Sequence, residues 1–316
     1  MNHDPDQPTS ITNIAKGEQR FGNIALIGAP NAGKSTLTNA LVGQKVSIVS
    51  KKPQTTRFRI TAIVEKDNSQ FGLIDTPGVF IAQKEFDRAM VSSAWHALER
   101  VEGVVLMVAA DMGINATVEH IIKRLRQQKK PVIIAINKID RVEKKTLLRL
   151  VDALPTDESI NRVMLISALK KDGVDDLLAA MLALLPVGPW GYDSEMASTL
   201  PDRLFAAEIL REQLFRQLHQ ELPYRLMVET EQWGVQKNEH TKKEVLHIHQ
   251  TIHIEKESHR AMILGRGGQT LKTIASHARG EMEKIFESKV FLKIFVRVTP
   301  GWQRRHDLTD VFSYYG

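Results

Sequence analysis

The sequence predicts a doubly wound α/β domain followed by a smaller α+β domain. From Phe21 to about Leu185, short apolar runs alternate with amphipathic stretches, which is typical of β-α units around a parallel sheet. Two of the runs, Val104–Ala109 and Val132–Ile136, are apolar throughout, as expected for strands buried on both faces. The pattern changes after a stretch rich in glycine and proline that begins at Pro186, and this change predicts a second domain.

Strands and helices alternate along the first domain. The predicted strands are Asn23–Ile27, Arg59–Val64, Phe71–Ile74, Val104–Ala109, Val132–Ile136 and Val163–Ile166. The predicted helices are Lys34–Val42, Phe86–Glu99, Val118–Gln127, Lys144–Ala153 and Val174–Leu185.

The second domain has the predicted order α-β-β-α-α-β, with Asp202 as the N-cap of its first helix. Its predicted elements are a helix to about Leu218, strands Leu226–Trp233 and Glu244–Ile254 joined by a charged loop at Gln236–Lys243, helices His259–Leu264 and Gln269–Phe286, and a strand Val290–Val298.

Composition limits the class of protein. The chain has 316 residues, 42% of them hydrophobic and 25% charged, as in ordinary soluble proteins. It contains no cysteine, which excludes disulfides and thiolate metal sites. Its longest uncharged apolar runs, such as Gly103–Ala110, are far shorter than the roughly 20 residues that span a bilayer. We therefore expect a disordered tail at 1–20, the first domain at 21–186, a linker at 187–201, the second domain at 202–302 and a C-terminal tail at 303–316.

A phosphate-binding loop is predicted between the first strand and the first helix. The stretch fits G-x-x-x-x-G-K-[ST], with backbone N–H groups and a helix N-terminus facing phosphates. Lys34 would reach the β- and γ-phosphates, and the Ser35 hydroxyl would hold Mg²⁺. The candidate residues are Gly28, Ala29, Pro30, Asn31, Ala32, Gly33, Lys34, Ser35 and Thr36.

Three further motifs follow strands in the order that a guanine-nucleotide site requires. Asp75 would lie behind a Mg²⁺-bound water, and the Gly78 N–H would meet the γ-phosphate. The Asp140 carboxylate matches the two N–H donors of guanine, whereas adenine would leave it unpaired at a cost of about 1–3 kcal/mol or more. GTP is therefore the expected nucleotide. The motifs are Asp75-Thr76-Pro77-Gly78, Asn137-Lys138-Ile139-Asp140, whose lysine stem would cover the base, and Ser167-Ala168-Leu169, whose N–H groups would face guanine O6.

The second domain contains Gly265-Arg266-Gly267-Gly268 between two predicted helices. This fits the GxxG loop with which KH domains clamp single-stranded nucleic acid, although such a tetrapeptide is also common in ordinary turns. The α-β-β-α-α-β order is that of a type II KH domain. The chain has a net charge of +6, and Ser258–Gly280 contains basic residues but no Asp or Glu. We expect single-stranded RNA to bind at Ile263, Gly265, Arg266, Gly267, Gly268 and Lys272, with Ile263, Leu264 and Ile274 either lining an apolar groove or packing in the core.

Three histidines, His247, His249 and His253, share one face of a predicted strand by alternation. A zinc site there is disfavoured because no carboxylate has a useful spacing. The opposite, core-facing set is Leu246, Ile248, Ile252 and Ile254.

From Phe21 to Trp302 the chain resembles the Era family, Ras-like GTPases with a C-terminal KH domain. Besides the nucleotide motifs and the Ile263–Gly268 turn, the resemblance depends on Pro53-Gln54-Thr55-Thr56-Arg57, Glu221-Leu222-Pro223-Tyr224 and Gly301-Trp302. Ala29 departs from the arginine frequent there, and Lys170-Lys171-Asp172 displaces a usual glycine.

The resemblance implies GTP hydrolysis, although Val79 stands where Ras-type enzymes carry the water-orienting glutamine. It implies that Asn31 helps bind K⁺ beside the phosphates, and that Thr56, or alternatively Thr55, supplies a Mg²⁺ ligand. The expected catalytic set is Asn31, Lys34, Thr56 and Gly78.

The resemblance also implies a monomer that binds the 3′ end of small-subunit rRNA, takes part in 30S ribosomal subunit assembly, and is cytoplasmic with peripheral contact to the inner face of the plasma membrane. Two alternatives stay open: a GTPase that docks to a protein or membrane without binding RNA, and a module that holds GTP without hydrolysis.

Overall fold

The computed structural model describes residues 18–50, 52–80, 85–155, 160–218, 222–237 and 244–304, without the side chains of residues 85 and 86. The predicted tails lie outside these ranges except for residues 18–20 and 303–304, as do Glu221 and most of the charged loop at Gln236–Lys243.

All eleven predicted elements of the first domain are present, with ends shifted by at most three residues. The strands are β1 Arg20–Gly28, β2 Ile60–Lys66, β3 Ser69–Asp75, β4 Gly103–Ala109, β5 Val132–Asn137 and β6 Ile160–Ile166. The helices are α1 Lys34–Val42, α2 Glu85–His96, α3 Ala116–Leu125, α4 Lys144–Asp152 and α5 Val174–Leu182.

The first sheet has the order β2-β3-β1-β4-β5-β6 and is parallel except for β2, which runs antiparallel to β3. Every residue of β4 is buried, as its apolar sequence predicts. Successive residues of β1 point into opposite cores, Ile24 and Leu26 into one and Ala25 and Ile27 into the other. The fold class predicted from the sequence is therefore confirmed.

The parallel topology brings the nucleotide motifs together. Each motif directly follows a parallel strand: the phosphate-binding loop follows β1, and the motifs of Asp75, Asn137 and Ser167 follow β3, β5 and β6. The carboxyl ends of parallel strands meet at one edge of a sheet. Motifs that are far apart in the chain thus line one crevice.

The second domain has the order predicted for a type II KH domain. Its elements are α6 Asp202–Gln217, β7 Leu226–Lys237, β8 Glu244–Ile254, α7 Glu257–Leu264, α8 Gln269–Ile285 and β9 Lys289–Val298. The sheet order is β7-β8-β9, with β8 parallel to β9 and antiparallel to β7. The predicted core residues Leu246, Ile248, Ile252 and Ile254 are buried under α6 and α8.

The prediction that Asp202 caps α6 is wrong. Pro201 is the N-cap, and its carbonyl oxygen accepts hydrogen bonds from the N–H groups of Leu204 and Phe205. Asp202 instead lies in the first turn, where its negative charge is favourable near the positive end of the helix dipole.

The predicted linker runs along the free edge of β2. Thr199 N–H donates to Thr61 O, and Ile63 N–H donates to Ala197 O, both at 2.9 Å. These bonds cover edge groups that would otherwise be exposed. The assignment of residues 187–201 as a linker between domains stays a prediction.

Residues from both halves of the chain share one hydrophobic core. Phe58 and Ile60, which lead into and begin β2, pack in the same cluster as Phe205 and Leu210 of α6 and Leu226 of β7. Within the described ranges, no helix combines the length and apolar character needed to cross a membrane.

Candidate nucleotide site and nucleic-acid interface

The phosphate-binding loop is fixed by close backbone contacts. A Cβ atom at Gly33, whose φ is 99°, would lie 2.1 Å from Asn137 Nδ2, and one at Gly28 would lie 2.5 Å from Met107 O. Asn31 adopts a left-handed φ of 61°. Only glycine therefore fits at positions 28 and 33, the two glycines that define the motif, without moving β4 or the Asn137 side chain.

Lys34 is buried beneath this loop. Its Nζ donates hydrogen bonds to Gly28 O at 3.0 Å and Ala29 O at 3.1 Å. Burial lowers the pKa of Lys34 to about 8, and the nearby charge of Asp75 opposes this shift. The ammonium is positioned at the centre of the loop, where phosphate oxygens are expected.

Asp75 is fully buried at the end of β3. Burial raises the pKa of its carboxyl group, while hydrogen bonding to Ser35 and Ser47 and the charge of Lys34 oppose the rise. Ser47 Oγ donates to Asp75 Oδ2 at 2.8 Å. The predicted site did not include Ser47, because no sequence motif marks it.

The Ser35 and Thr56 hydroxyl oxygens lie 2.9 Å apart. Two oxygens in adjacent positions of an octahedral Mg²⁺ shell with bonds of about 2.1 Å stand about 3 Å apart, so this pair fits the ion. Thr55 Oγ1 instead donates to Lys52 O at 2.8 Å. The geometry therefore favours Thr56 over Thr55 as the threonine ligand.

Gly78 and Val79 follow β3 and pass close to the loop. A Cβ at Gly78 would lie 2.8 Å from Pro30 Cα, and Val79 N–H donates to Gly28 O at 3.0 Å. The Val79 side chain is 2% exposed and packs in the core below α2 and α3. Val79 is thus a packing residue whose side chain is buried in the core.

Asn137 joins two loops of the crevice. Its Nδ2 donates to Ala32 O at 2.8 Å, and its Oδ1 accepts from Ala168 N–H at 2.9 Å. The Ala168 N–H predicted to face guanine O6 is therefore directed at Asn137. This bridging role was not part of the sequence prediction, which gave roles to Asp140 and Lys138 but none to Asn137.

Asp140 and Lys138 flank the expected base site. Ser167 Oγ donates to Asp140 Oδ1 at 2.5 Å, which orients the carboxylate. Lys138 has a left-handed φ of 66° and donates to both carboxylate oxygens of Asp111, at 3.1 and 3.2 Å. Burial raises the pKa of Asp111, but hydrogen bonds and charges from Lys138 and Arg141 outweigh it and hold that pKa below its usual value.

The segment from Lys45 to Arg57 is here called the switch I segment, and its described residues contact helices α6 and α8 of the second domain. The Lys45 ammonium pairs with the carboxylates of Glu212 and Glu281, and Val49 N–H donates to Glu212 Oε1 at 2.9 Å. Lys52 Nζ donates to the carbonyls of Phe215 and Leu218, where a cation is favourable at the C-terminus of a helix.

Arg57 is the most buried contact of the switch I segment with the second domain. It donates to Leu226 O at 2.6 Å and to Pro223 O and Tyr224 O at 3.2 Å, and its guanidinium lies 5.9 Å from the centroid of the Trp302 ring. Burial and the charge of Arg211 lower the pKa of Arg57 to about 9, and the charges of the Glu208 and Asp87 carboxylates oppose this shift. Three separate sequence motifs of the resemblance thus meet at one point.

Arg211 on α6 connects this interface to the threonines. Its Nε donates to Glu208 Oε1 at 2.6 Å, and its Nη2 bonds to Glu208 Oε2 and to the carbonyl of Thr55. The Arg211 side chain is 2% exposed. A residue of the second domain therefore holds the backbone next to Thr56.

The Gly265–Gly268 loop connects α7 to α8 with three glycines at positive φ. A Cβ at Gly265 would collide with Thr270 Oγ1 at 2.0 Å, whereas one at Gly267 or Gly268 would meet nothing within 4 Å. The tip of the loop is therefore open to an approaching backbone. Gly265 has the different role of fitting against the first turn of α8.

The Ile263 side chain does not contribute to an RNA surface in this structure. Ile263 and Ile274 are both fully buried in the core of the second domain, because they face the sheet from α7 and α8. Ile263 and Ile274 are therefore core residues and do not line a groove. Their packing fixes the helices on either side of the loop.

The three histidines of β8 do not form a metal site. His253 is buried, with its ring nitrogens bonded to Thr299 Oγ1 at 2.9 Å and Glu229 Oε2 at 3.0 Å. Among the described residues, no group of three or more histidine or carboxylate side chains is arranged to hold a metal ion.

Comparison with known proteins finds two family models that match different parts of the chain. A family model described as 50S ribosome-binding GTPase matches residues 23–138, and a KH domain model matches residues 221–303. GTPase Era of Afipia carboxidovorans is 44% identical over 283 residues, 90% of each chain. The chain belongs to the Era family of GTPases. GTPase Era of Sinorhizobium medicae is 41% identical over 302 residues, which cover 96% of this chain and 95% of the relative.

Two solved Era structures match almost the whole chain. One is Era in complex with MgGDPNP and nucleotides 1506–1542 of 16S ribosomal RNA, and the other is a single-residue variant of Aquifex aeolicus Era bound to GDP·AlF₄⁻. Each has a TM-score of 0.88 and 34% identity, and covers 94% of this chain and 100% of its own. Membership in the Era family confirms that the chain is a GTPase, and it excludes a module that only holds GTP.

Proposed function

We propose that this Era-family GTPase binds single-stranded RNA at the 3′ end of small-subunit rRNA and acts in assembly of the 30S subunit. The observation that carries the proposal is the match, over both domains, to an Era protein in complex with 16S ribosomal RNA. The open tip of the loop at Gly267 and Gly268 supports the proposal. The positively charged side chains of Arg266 and Lys272 support it as well. A docking GTPase without RNA binding is disfavoured by the KH match.

Substitution of the loop tests this function. Gly268 has φ 76° and ψ 8° and caps α8. Aspartate and asparagine both tolerate this left-handed conformation, so Gly268→Asp and Gly268→Asn should both fold. Because only the carboxylate repels phosphate, the Asp variant should lose single-stranded RNA binding far more than the Asn variant, with GTP affinity unchanged in both.

Both affinities are measured on one folded preparation, with thermal unfolding as the control. An Asp variant that retained RNA affinity within about twofold, or about 0.4 kcal/mol, would contradict the KH assignment.

We propose further that Ser35 and Thr56 hold Mg²⁺ and that Asn31 helps bind K⁺ during hydrolysis. The 2.9 Å spacing of the two hydroxyl oxygens supports the first assignment. Asn31 lines the same cleft as Lys34, Ser35 and Thr56, and a monovalent cation there would stabilise charge on the leaving oxygen. Residue 79 is a buried valine, so no glutamine-like side chain is present at that position to orient water.

Exchange of Na⁺ for K⁺ at equal ionic strength should raise the GTPase rate of the parent protein. Asn31→Ala should remove this gain while GTP still binds, because Lys34 and the loop N–H groups remain. Phosphate release in the two salts gives the comparison. Equal rates for the parent protein would remove K⁺ from the mechanism. Peripheral membrane contact, the cytoplasmic location and the monomeric state stay predictions.

A further inference from the structure

We propose that the outer face of the KH sheet is a second contact surface for single-stranded RNA. This face is the side of β8 and β9 that points away from α6 and α8, and its RNA-facing residues are Phe291, Lys293 and Phe295 with His247 and His249. The inference rests on the proposed RNA-binding function, but it concerns a surface distinct from the Gly265–Gly268 loop.

Strand β9 alternates strictly between its two faces. Val290 is buried and Leu292, Ile294 and Val296 pack against the core. The intervening side chains point outward, and among them Phe291 is 48% exposed and Phe295 is 41% exposed. This strand therefore presents two phenylalanine side chains on the same exposed face.

The aromatic rings lie among other flat or cationic groups. Phe291 is paired in register with His247 of β8, and the two ring centroids are 4.8 Å apart at an interplanar angle of 33°. His249 is paired with Lys293, whose Nζ lies 4.9 Å from the centroid of the Phe295 ring. The result is a platform of rings with a lysine between the two phenylalanines.

The chemistry of this platform fits RNA better than an apolar protein partner. Bases stack on exposed aromatic rings of open sheets, and interleaved cations meet the phosphates. Phe291 and Phe295 are four residues apart, or about 13 Å along a strand, so each can receive a different base. At the two ends of β9, Lys289 pairs with Glu283 at 3.8 Å and Arg297 with Glu231 at 3.3 Å, and Lys293 is the cation that lies beside the rings.

Two carboxylates on this face contact other side chains. Glu231 contacts Arg297 at 3.3 Å, and Glu229 contacts His253 at 3.0 Å. Both lie toward the Arg297 end of the sheet, because Glu229 is in register with Thr251 and Thr251 with Phe295. The region around Phe291 and Lys293 is therefore the part most favourable for phosphate.

The platform is also reachable from the loop. A KH loop clamps only about four nucleotides of backbone, so a longer strand must continue elsewhere. Arg260 of α7, the helix that leads into the loop, donates to Val296 O on β9 at 2.7 Å. β9 is thus the sheet edge beside α7, and RNA leaving the loop across this edge arrives at Phe295 and Phe291.

RNA length separates the two surfaces. The affinities of a six-nucleotide and a fifteen-nucleotide RNA of the small-subunit 3′-end sequence are measured with the full chain. Phe291→Ser/Phe295→Ser should bind the longer RNA at least about tenfold more weakly, since both rings on which bases stack are lost. Binding of the shorter RNA should stay within about twofold. The matched control is Leu148→Ser, which removes a side chain that is 66% exposed on α4.

Two further variants make the test robust. Phe291→Leu/Phe295→Leu removes the rings but keeps apolar side chains, so it serves as the test if the serine variant folds poorly. It should show the same loss of affinity for the longer RNA only. Lys293→Gln should lower the slope of log affinity against log salt by about 0.7 for the longer RNA only, as expected for one lost phosphate contact on a single strand.

Unchanged affinity for the longer RNA, or an equal loss for both lengths, would overturn the proposal. If the phenylalanine variants kept their RNA affinity but no longer bound purified 30S subunits, the face would be assigned to a protein partner. That result would also overturn the proposal. A parent protein that bound neither RNA would instead refute the RNA-binding function itself, so the two failures are distinguishable.

Discussion

Lys34 shows how burial sets the chemistry of a single residue. Its pKa of about 8 is below the ordinary 10.5 because the ammonium is desolvated. Between these values the folded protein binds fewer protons than the unfolded chain, so the free energy of unfolding from this group rises with pH across that window. Phosphates would favour the charged form, so nucleotide binding should raise the same pKa.

GTP binding should therefore take up a proton at pH 8.5 but almost none at pH 7. The affinity should fall as the pH rises above about 8, because neutral Lys34 must first be protonated. Calorimetric binding heats in two buffers with different ionisation enthalpies measure the uptake directly. Identical heats in both buffers at pH 8.5 would show that Lys34 is already fully charged in the free protein.

At the scale of elements, the switch I segment is held from two sides. Thr56 faces Ser35 of the phosphate site, while the adjacent Arg57 is inserted among backbone carbonyls of the second domain. Arg211 of α6 bonds to the carbonyl of Thr55. Helix α6 therefore positions the threonine that is proposed to bind Mg²⁺.

Arg211→Met should separate stability from positioning. It leaves Glu208 buried and unpaired, at a cost of about 3–5 kcal/mol, and frees the Thr55 carbonyl. The double variant Glu208→Leu/Arg211→Met should recover most of the stability but not the GTPase rate, because the Thr55 contact is still missing. Thermal unfolding and kcat are measured on both.

Arg149→Met is the matched control, since it makes the same change at an exposed arginine on helix α4 of the first domain. It should change neither quantity. Recovery of kcat in the double variant would show that Arg211 acts only through stability.

For the whole molecule, Phe58 and Ile60 make the two domains one cooperative structure. Phe58 is 5% exposed and packs in the same cluster as α6 and β7. Phe58→Ala should cost about 3–5 kcal/mol and should separate unfolding into two transitions. Release of a fluorescent guanine nucleotide reports on the first domain. Tryptophan fluorescence in a Trp95→Phe/Trp190→Phe background, which keeps Trp233 and Trp302 of the second domain, reports on the other. Coincident transitions in the variant would mean that other contacts suffice.

Local features were predictable from the sequence, and contacts between distant segments were not. The strand–loop–helix around Lys34 depends on spacing within a few residues, and helix α1 has the predicted ends. The pairing of Lys45 with Glu281 joins residues 236 positions apart, and no periodicity encodes it. Ile263 could not be assigned to groove or core, because an apolar residue on a helix suits both until the sheet beneath it is known.

Helix α6 limits how these domains can be exchanged between proteins. A foreign KH domain grafted after Pro201 would carry its own first helix and would lose Arg211 and Glu212, the partners of the switch I segment. A graft after Gln217 would keep them but would pair α6 with a foreign α8, without the Gln213–Glu281 hydrogen bond of 2.8 Å. Either chimera breaks one set of contacts. The GTPase and KH domains can therefore be transplanted intact only as a pair.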